Sequence, residues 1–240
     1  MEPGIQTKIL GVRIDSLGKE KISDKVKYFL NENKFHQIAT VNPEFILEAQ
    51  SDAEFKKILN GSDLCVADGA GIWFAFLRYG KILKARTSGA DLMEEILKIA
   101  SEKSAGIFLA ASKDGLSLWK ETRDAILKKH PGLKISGADL DKNSPVYKMP
   151  DGYVIVFCNF GAPYQEKFID SIKNDNMRLA MGVGGSFDFL TGKIRRAPKF
   201  MRVIALEWLW RLIQQPKRIK RIFNAVIIFP IKIIFTSKSI

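Results

Sequence analysis

The sequence predicts an α/β fold built on a largely parallel sheet. Three observations carry the prediction. Short apolar runs alternate with stretches of helical periodicity along residues 8–183. The middle runs, 106–111 (GIFLAA) and 153–159 (YVIVFCN), are apolar almost throughout, as strands covered on both faces must be. Polar and glycine-rich motifs come directly after these runs, where parallel sheets present ligands at the carboxyl ends of their strands.

The elements follow in order. Residues 8–14 read as a first strand. Residues 19–31 set Ile22, Val26, Phe29 and Leu30 on one helical face. A second strand, 37–41, ends at Asn42-Pro43. The proline disfavours helix at Asn42 and suits the first turn of a helix over 44–50. Ser51 or Asp52 caps a helix over 52–59. A strand at 64–67 precedes helices at 71–79 and 89–101, the second turning Leu92, Ile96 and Ile99 inward. Then come a strand at 106–111, a helix at 113–129 and a strand at 133–137. Residues 139–151 are polar with two prolines and read as a loop. A central strand at 153–159, a helix at 163–173 and a last strand at 178–183 complete the pattern, without an internal repeat.

At 240 residues and 46% hydrophobic content the chain can bury a sizeable core, as one large or two small domains. The net charge of +12 is unevenly placed. Residues 199–240 hold nine Lys/Arg against one acid, Glu207, so the basic excess belongs to the C-terminal tail. Such a tail suits an anionic partner: a membrane surface, nucleic acid or a pyrophosphate. The composition divides the chain into an α/β domain over 1–195 and an appendage over 196–240. The appendage holds a basic linker (193–199 crosses the boundary), Trp208 and Trp210, a basic cluster at 216–221, and an apolar stretch at 222–235 interrupted by Asn224, Pro230 and Lys232. This combination suggests a tail lying on an anionic membrane. A terminal helix packed on the domain with a solvated basic face is the other reading. No run of about 20 apolar residues is present, so no helix is expected to span a bilayer. The N-terminus lacks the charged-then-apolar order of a signal sequence.

Cys65 and Cys158 sit inside apolar runs without metal-ligand spacing and read as buried free thiols of a reducing compartment. His36 and His130 are isolated and form neither a zinc motif nor a nucleophile–base pair.

Four polar motifs fall at strand ends: Thr40-Val41-Asn42-Pro43, Asp68-Gly69 with Arg86-Thr87-Ser88-Gly89, the segment from Asn159 to Glu166, and Gly182-Val183-Gly184-Gly185-Ser186-Phe187-Asp188-Phe189. A parallel sheet brings all four to one edge, and their convergence says more than any one of them. Asp68-Gly69 reads either as a turn or as a catalytic base presented at a strand end. The glycine-rich segment reads either as a corner or as a cradle whose N–H groups meet a phosphate. It is no P-loop, lacking the Gly-Lys-Ser/Thr ending. Asp139-Leu140-Asp141 has the Asp-x-Asp form of a metal-holding pair but lies in a polar loop, where a solvated turn is the plainer reading. No cluster of carboxylates suits a hard cation. A metal-independent reaction is therefore expected, with Arg86 and the tail stabilising a phosphate leaving group. A nucleotide-dependent oxidoreductase would need a glycine fingerprint after the first strand, which Gly11-Val12-Arg13-Ile14 does not supply. A membrane- or nucleic-acid-binding module would explain the tail but not the gathered strand-end residues.

Taken together these segments resemble the WecG/TagA/CpsF family, glycosyltransferase family 26. The matching residues are Thr40-Val-Asn42-Pro-Glu44, Asp68-Gly69, Arg86 through Gly89 to Asp91-Leu92, Gly161-x-Pro163-x-Gln165-Glu166, Gly182-Val-Gly184-Gly185-Ser186-Phe-Asp188, and Arg196-Ala-Pro198 ahead of Glu207-Trp208-Leu209. They run in the same order from about Ile9 to Arg221. Asn159-Phe160 stands where the family has small or apolar residues, and the tail after Arg221 is longer. The resemblance implies a Rossmann-like sheet of the GT-E type with a basic, amphipathic helical appendage at the C-terminus. It implies an inverting enzyme that moves an N-acetylmannosamine-type sugar from UDP to undecaprenyl-diphosphate-linked N-acetylglucosamine, without a cofactor. UDP-N-acetylmannosaminuronate and UDP-glucose are alternative donors. Asp68 is then the general base. Thr40, Asn42, Arg86, Gln165, Gly184, Gly185 and Ser186 bind substrate, with Arg86 suited to a diphosphate. Arg211, Arg218 and Arg221 meet the lipid diphosphate at the membrane. The implied setting is cytoplasmic, on the inner face of the cell membrane, with no nucleic acid partner. Oligomeric state stays open, a homo-oligomer included.

Overall fold

The computed structural model describes residues 5–145, 147–174, 176–204 and 206–236. The end of the expected appendage, 237–240 with Lys238, and the first four residues of the expected α/β domain lie outside the described residues. The core is a six-stranded parallel sheet in the order β4-β3-β8-β7-β5-β6. Its strands are β3 (His36–Val41), β4 (Leu64–Ala67), β5 (Ile107–Ser112), β6 (Ile135–Leu140), β7 (Ile155–Cys158) and β8 (Leu179–Gly182).

Helices cover both faces, which is why β3, β4, β5, β7 and β8 are buried at every position. Alternation splits each strand between two cores. Ile38, Val66, Leu109, Phe157 and Met181 pack with α1 (Lys19–Asn31), α5 (Gly89–Glu102), α6 (Trp119–Leu127) and α8 (Ser186–Leu190). On the other face Ala39, Val41, Cys65 and Ala67 pack with α2 (Pro43–Glu48), α3 (Ala53–Gly61) and α4 (Ala70–Arg78). There too Phe108, Val156 and Cys158 pack with α7 (Tyr164–Ile172).

Several local expectations change. The first strand is a hairpin, β1 (Ile5–Ile9) and β2 (Val12–Ser16), forming its own antiparallel sheet. Leu10 and Gly11 turn it with φ of 48° and 78°, and Leu10 makes the continuous apolar pattern misleading. The hairpin guards the edge strand β4, since the Asp15 carboxylate accepts from the Cys65 amide at 2.8 Å. The helix expected over 113–129 begins only at Trp119. Gly115 lies against the Ser112 carbonyl, and Ser117 is drawn to Asp188 at 2.8 Å. The Asp139 carboxylate then accepts from the Trp119 amide at 2.9 Å and fixes the helix start. Asp139 itself belongs to β6, which runs further than expected. Asp141 pairs with Lys113 at 2.7 Å and accepts from the Asn143 amide.

Each histidine and cysteine has a structural place. His36 is buried, stacked on Phe29, with Glu32 at 2.8 Å and Asp63 at 3.1 Å. His130 sits beside Glu94. Cys65 and Cys158 are buried free thiols, and burial pushes Cys65 up to about 12.

The C-terminal segment is helical and folds back over the domain. It comprises α9 (Lys199–Val203), α10 (Glu207–Gln214), a 3₁₀ turn at Pro216–Arg218, α11 (Ile219–Phe223), a π-helical turn at Asn224–Ile228 and α12 (Phe229–Phe235). The π turn precedes Pro230, whose missing N–H disrupts the α-helical ladder there. Phe229 and Ile233 are fully buried against the α2–α4 core, while Ile231, Ile234 and Phe235 on the same helix are exposed. Among the described residues no helix is long and apolar enough to cross a membrane.

Candidate active site

Every strand of the parallel sheet ends at or beside one cavity of about 460 Å³. Thr40 reaches it from β3, Asp68 from the residue after β4, Ser112 from β5, Lys142 from beyond β6, Asn159 from after β7 and Gly182 from β8. The C-terminal helices roof it with Glu207, Trp208 and Arg211 from α10, then Arg218 and Arg221.

The floor is held by one amide group. Gln165, at the start of α7, is buried, and its Oε1 accepts from the Gly161 and Gly184 amides at 3.1 Å each. Its Nε2 donates to Glu166 Oε1 at 2.7 Å. One side chain thus ties the loop after β7 to the glycine-rich loop after β8. The close approach demands glycine at 182, where a Cβ would stand 2.3 Å from Gln165 Nε2. Glu166 is enclosed with its Oε2 unpartnered among the described residues, and burial raises its carboxyl to about 8, so it is mainly protonated at neutral pH.

Asp68 faces the cavity and is otherwise surrounded by protein. Its backbone N–H donates to Val41 O at 2.8 Å, continuing the strand pairing and fixing the Cα at the sheet edge. Desolvation by this enclosure raises the carboxyl to about 6. Arg211 pulls it down, Glu207 pushes it up, and Arg86 and the Gly89 amide pull it down in turn. A carboxylate poised there can take a proton from a bound hydroxyl near neutral pH.

The cations above it are crowded. Burial lowers Arg218 to about 10, and the neighbouring charges of Arg221 and Arg211 add to the effect. All three guanidiniums share the same roof, a crowding that an anion relieves. Arg221 is partly balanced by Glu44 at 2.7 Å, and Arg211 lies over the Phe189 ring at 5.1 Å. Arg196 also lines the cavity and binds Asp91 at 2.8 Å and Ser88 at 2.9 Å.

Of the residues singled out in the sequence, Thr40, Asn42, Asp68, Gln165, Gly184, Gly185, Ser186, Arg211, Arg218 and Arg221 all line this cavity. Asn42 does so while its side chain caps α2, accepting from the Phe45 amide at 3.1 Å. The Ser186 hydroxyl donates to Val183 O at 2.7 Å. Arg86 lies elsewhere, in a second cavity of about 380 Å³ that shares Asp68, Ser88 and Glu207 with the first. Residues 86–88 run beside the end of β4, with Thr87 N–H donating to Ala67 O at 2.9 Å, and the Arg86 guanidinium donates to Arg202 O at 2.6 Å. Arg196, Glu207, Asn159 and Asp188 also line the main cavity; all four stand inside the strand-end or matching motifs of the sequence, which alone assign them no role. Asn159 joins β5 to β7 by accepting from the Ser112 amide at 2.7 Å. Among the described residues no three His, Cys, Asp or Glu side chains gather to hold a metal ion.

A parallel α/β sheet with a carboxylate of raised pKa under a roof of guanidiniums suits a group-transfer enzyme. The particular group is given by sequence comparison: residues 7–239 match the WecG/TagA/CpsF family of glycosyl transferases, and the chain belongs to that family. It is similar to the N-acetylglucosaminyldiphosphoundecaprenol N-acetyl-beta-D-mannosaminyltransferase of Bacillus subtilis, with 32% identity over 207 residues, covering 82% of this chain and 79% of the relative. The protein of the same description from Bacillus spizizenii is 31% identical over 221 residues, covering 88% of this chain and 84% of the relative.

Proposed function

We propose that this glycosyl transferase moves N-acetylmannosamine, or a closely related sugar, from a UDP-sugar to undecaprenyl-diphosphate-linked N-acetylglucosamine, inverting the anomeric centre without a metal. The names of the two Bacillus relatives support the acceptor and the sugar. UDP-N-acetylmannosaminuronate and UDP-glucose are the alternative donors. The product would enter teichoic acid or another surface polysaccharide.

The observation that carries the chemistry is Asp68 facing a cavity with guanidiniums in its roof. In the reaction the acceptor hydroxyl oxygen forms a bond to the anomeric carbon while the bond from that carbon to the UDP oxygen breaks. The hydroxyl proton passes to Asp68, and the electron pair leaves on the diphosphate. Arg211, Arg218, Arg221 and Arg196 meet diphosphate charge, the service a metal ion gives elsewhere. The backbone N–H groups of the 182–186 loop suit phosphate oxygens. Thr40 packs on Gly89 beside the base and helps shape the sugar site.

The substrate is tethered to lipid, so the enzyme works at a surface. The exposed apolar side chains of Phe223, Ile231, Ile234 and Phe235 and the basic residues at 217–221 suit an anionic bilayer, on the inner face of the cell membrane.

The test is a donor screen with an N-acetylglucosamine-diphosphate-lipid acceptor, read by UDP release and product mass. The expected result is a product heavier by one N-acetylhexosamine from UDP-N-acetylmannosamine, at a rate unchanged by EDTA. Acceptor-independent UDP release alone, or loss of activity in EDTA, would contradict the reading.

A further inference from the structure

Asp68 belongs to two cavities. The main one lies over the sheet edge. The second shares Asp68, Ser88 and Glu207 with it and is otherwise lined by the start of α1, residues 86–91 and α9. Four cations line it: Lys19, Arg86, Lys199 and Arg202. Among the described residues none of the four closes an ion pair. Three acids line this cavity as well, so four cations face three carboxylates: Asp91, which Arg196 holds at 2.8 Å, and Asp68 and Glu207, which the main cavity shares. Arg202 Nε is enclosed and has no hydrogen-bond partner among the described residues.

The rim gives a second clue. Val203 lines the cavity and is 81% exposed, and beside it on the same connector Phe200 is 66% and Ile204 58% exposed. An exposed apolar side chain lining a cationic cavity, with two more exposed ones near it in sequence, fits an amphiphile whose anionic head goes in and whose hydrocarbon stays out.

We propose that the second cavity is the binding site for the diphosphate of the lipid-linked acceptor, with the nucleotide diphosphate confined to the main cavity. The assignment rests on the reading of the chain as a transferase between two diphosphate-bearing substrates. Inversion places the incoming hydroxyl opposite the leaving diphosphate, so the acceptor, with its own diphosphate beyond its sugar, enters from the side away from the nucleotide diphosphate. The base beside that hydroxyl then belongs to the boundary of two anion sites, and Asp68 lines both cavities. The glycine-rich loop and the arginine roof suit the nucleotide half. The cations and apolar rim of the second cavity suit an isoprenyl diphosphate, whose sugar reaches past Ser88 to Asp68. Arg86 is then a binding residue for acceptor phosphate.

The test is equilibrium binding to the full chain, which needs no turnover. Titration calorimetry uses UDP as one probe and farnesyl diphosphate as the other, on the wild type and on the double variant Lys19→Glu, Lys199→Glu. Both lysines are exposed, so the variant should fold, and its thermal midpoint checks this. The expected result has three parts. Wild type binds farnesyl diphosphate in the presence of saturating UDP. The double variant binds it at least about tenfold more weakly, as loss and reversal of two charge-assisted contacts imply. UDP affinity stays within about twofold, because exposed charges at a distance are screened. Competition between the probes, unchanged farnesyl diphosphate affinity in the variant, or no binding of it to the wild type would overturn the proposal. Failure of UDP alone to bind would instead count against the proposed sugar-nucleotide reaction, leaving the isoprenyl arm to decide on the second cavity.

Discussion

Replacing Glu207 by glutamine should move the acid limb of the pH–rate profile to lower pH. Burial holds Asp68 at about 6, and Glu207 is the neighbouring negative charge that helps keep it high. The base works only when deprotonated, so kcat/KM should rise with pH and level off above about 6 in the wild type. A neighbouring like charge in a partly solvated site contributes on the order of 1 kcal/mol, or ~0.7 pH unit. Glu207→Gln removes that repulsion and favours the ionised base, so the half-rise should fall by roughly half to one unit. Arg211→Ala acts with the opposite sign. It removes the largest charge that stabilises the Asp68 carboxylate, and the half-rise should move above 6. The assay is UDP release at sub-saturating donor and acceptor from pH 5 to pH 9 in constant-ionic-strength buffers. A limb that stays in place in both variants, or moves in the same direction in both, would refute the reasoning that Asp68 sets it.

Three further outcomes follow from the geometry. Gly182→Ala puts a methyl 2.3 Å from Gln165 Nε2 and 2.6 Å from Glu166 Oε1, so it should cost about 1–3 kcal/mol in chemical denaturation and lower activity by loosening the two loops that Gln165 joins. Glu166 has a folded pKa of about 8 against an ordinary 4.5, so its contribution to stability is full below 4.5 and is lost at up to about 1.4 kcal/mol per pH unit until about 8. Glu166→Gln, which cannot ionise, should therefore gain on the wild type as pH rises through that window, and parallel stability curves would contradict this. For the surface, deleting residues 217–240 would also strip Phe229 and Ile233 from the core, so exposed positions make the cleaner test. Ile234→Ser with Phe235→Ser should weaken sedimentation with anionic liposomes and leave the thermal midpoint nearly unchanged, and undiminished sedimentation would count against membrane docking by this helix.

Much of this was written in the chain, for identifiable reasons. The runs at 64–67 and 155–158 are apolar at each position because helices cover both faces, and such runs read directly as central strands. Pro43 signalled the first turn of a helix, and α2 does begin at Pro43, with the Asn42 side chain capping it. The convergence of four strand ends followed from the parallel sheet alone. Other features depend on contacts between distant residues. Leu10 takes a left-handed φ that its apolar side chain hides, so the hairpin read as one strand. The start of α6 is set by Asp139, twenty positions away. Arg86 follows its hydrogen bond to Arg202 O, across 116 residues, and so enters the second cavity. The periodicity of 222–235 shows an apolar stretch but not that Phe229 belongs inside the domain core while Phe235 is 83% exposed.

The central claim is that Asp68 removes the acceptor proton, and Asp68→Asn tests it most directly. The side chain is nearly isosteric and cannot act as the base. Single-turnover transfer to an N-acetylglucosamine-diphosphate-lipid at pH 7.5 should fall by about 10²–10⁴ while UDP affinity stays close to wild type. Transfer at the wild-type rate by Asp68→Asn would contradict the account.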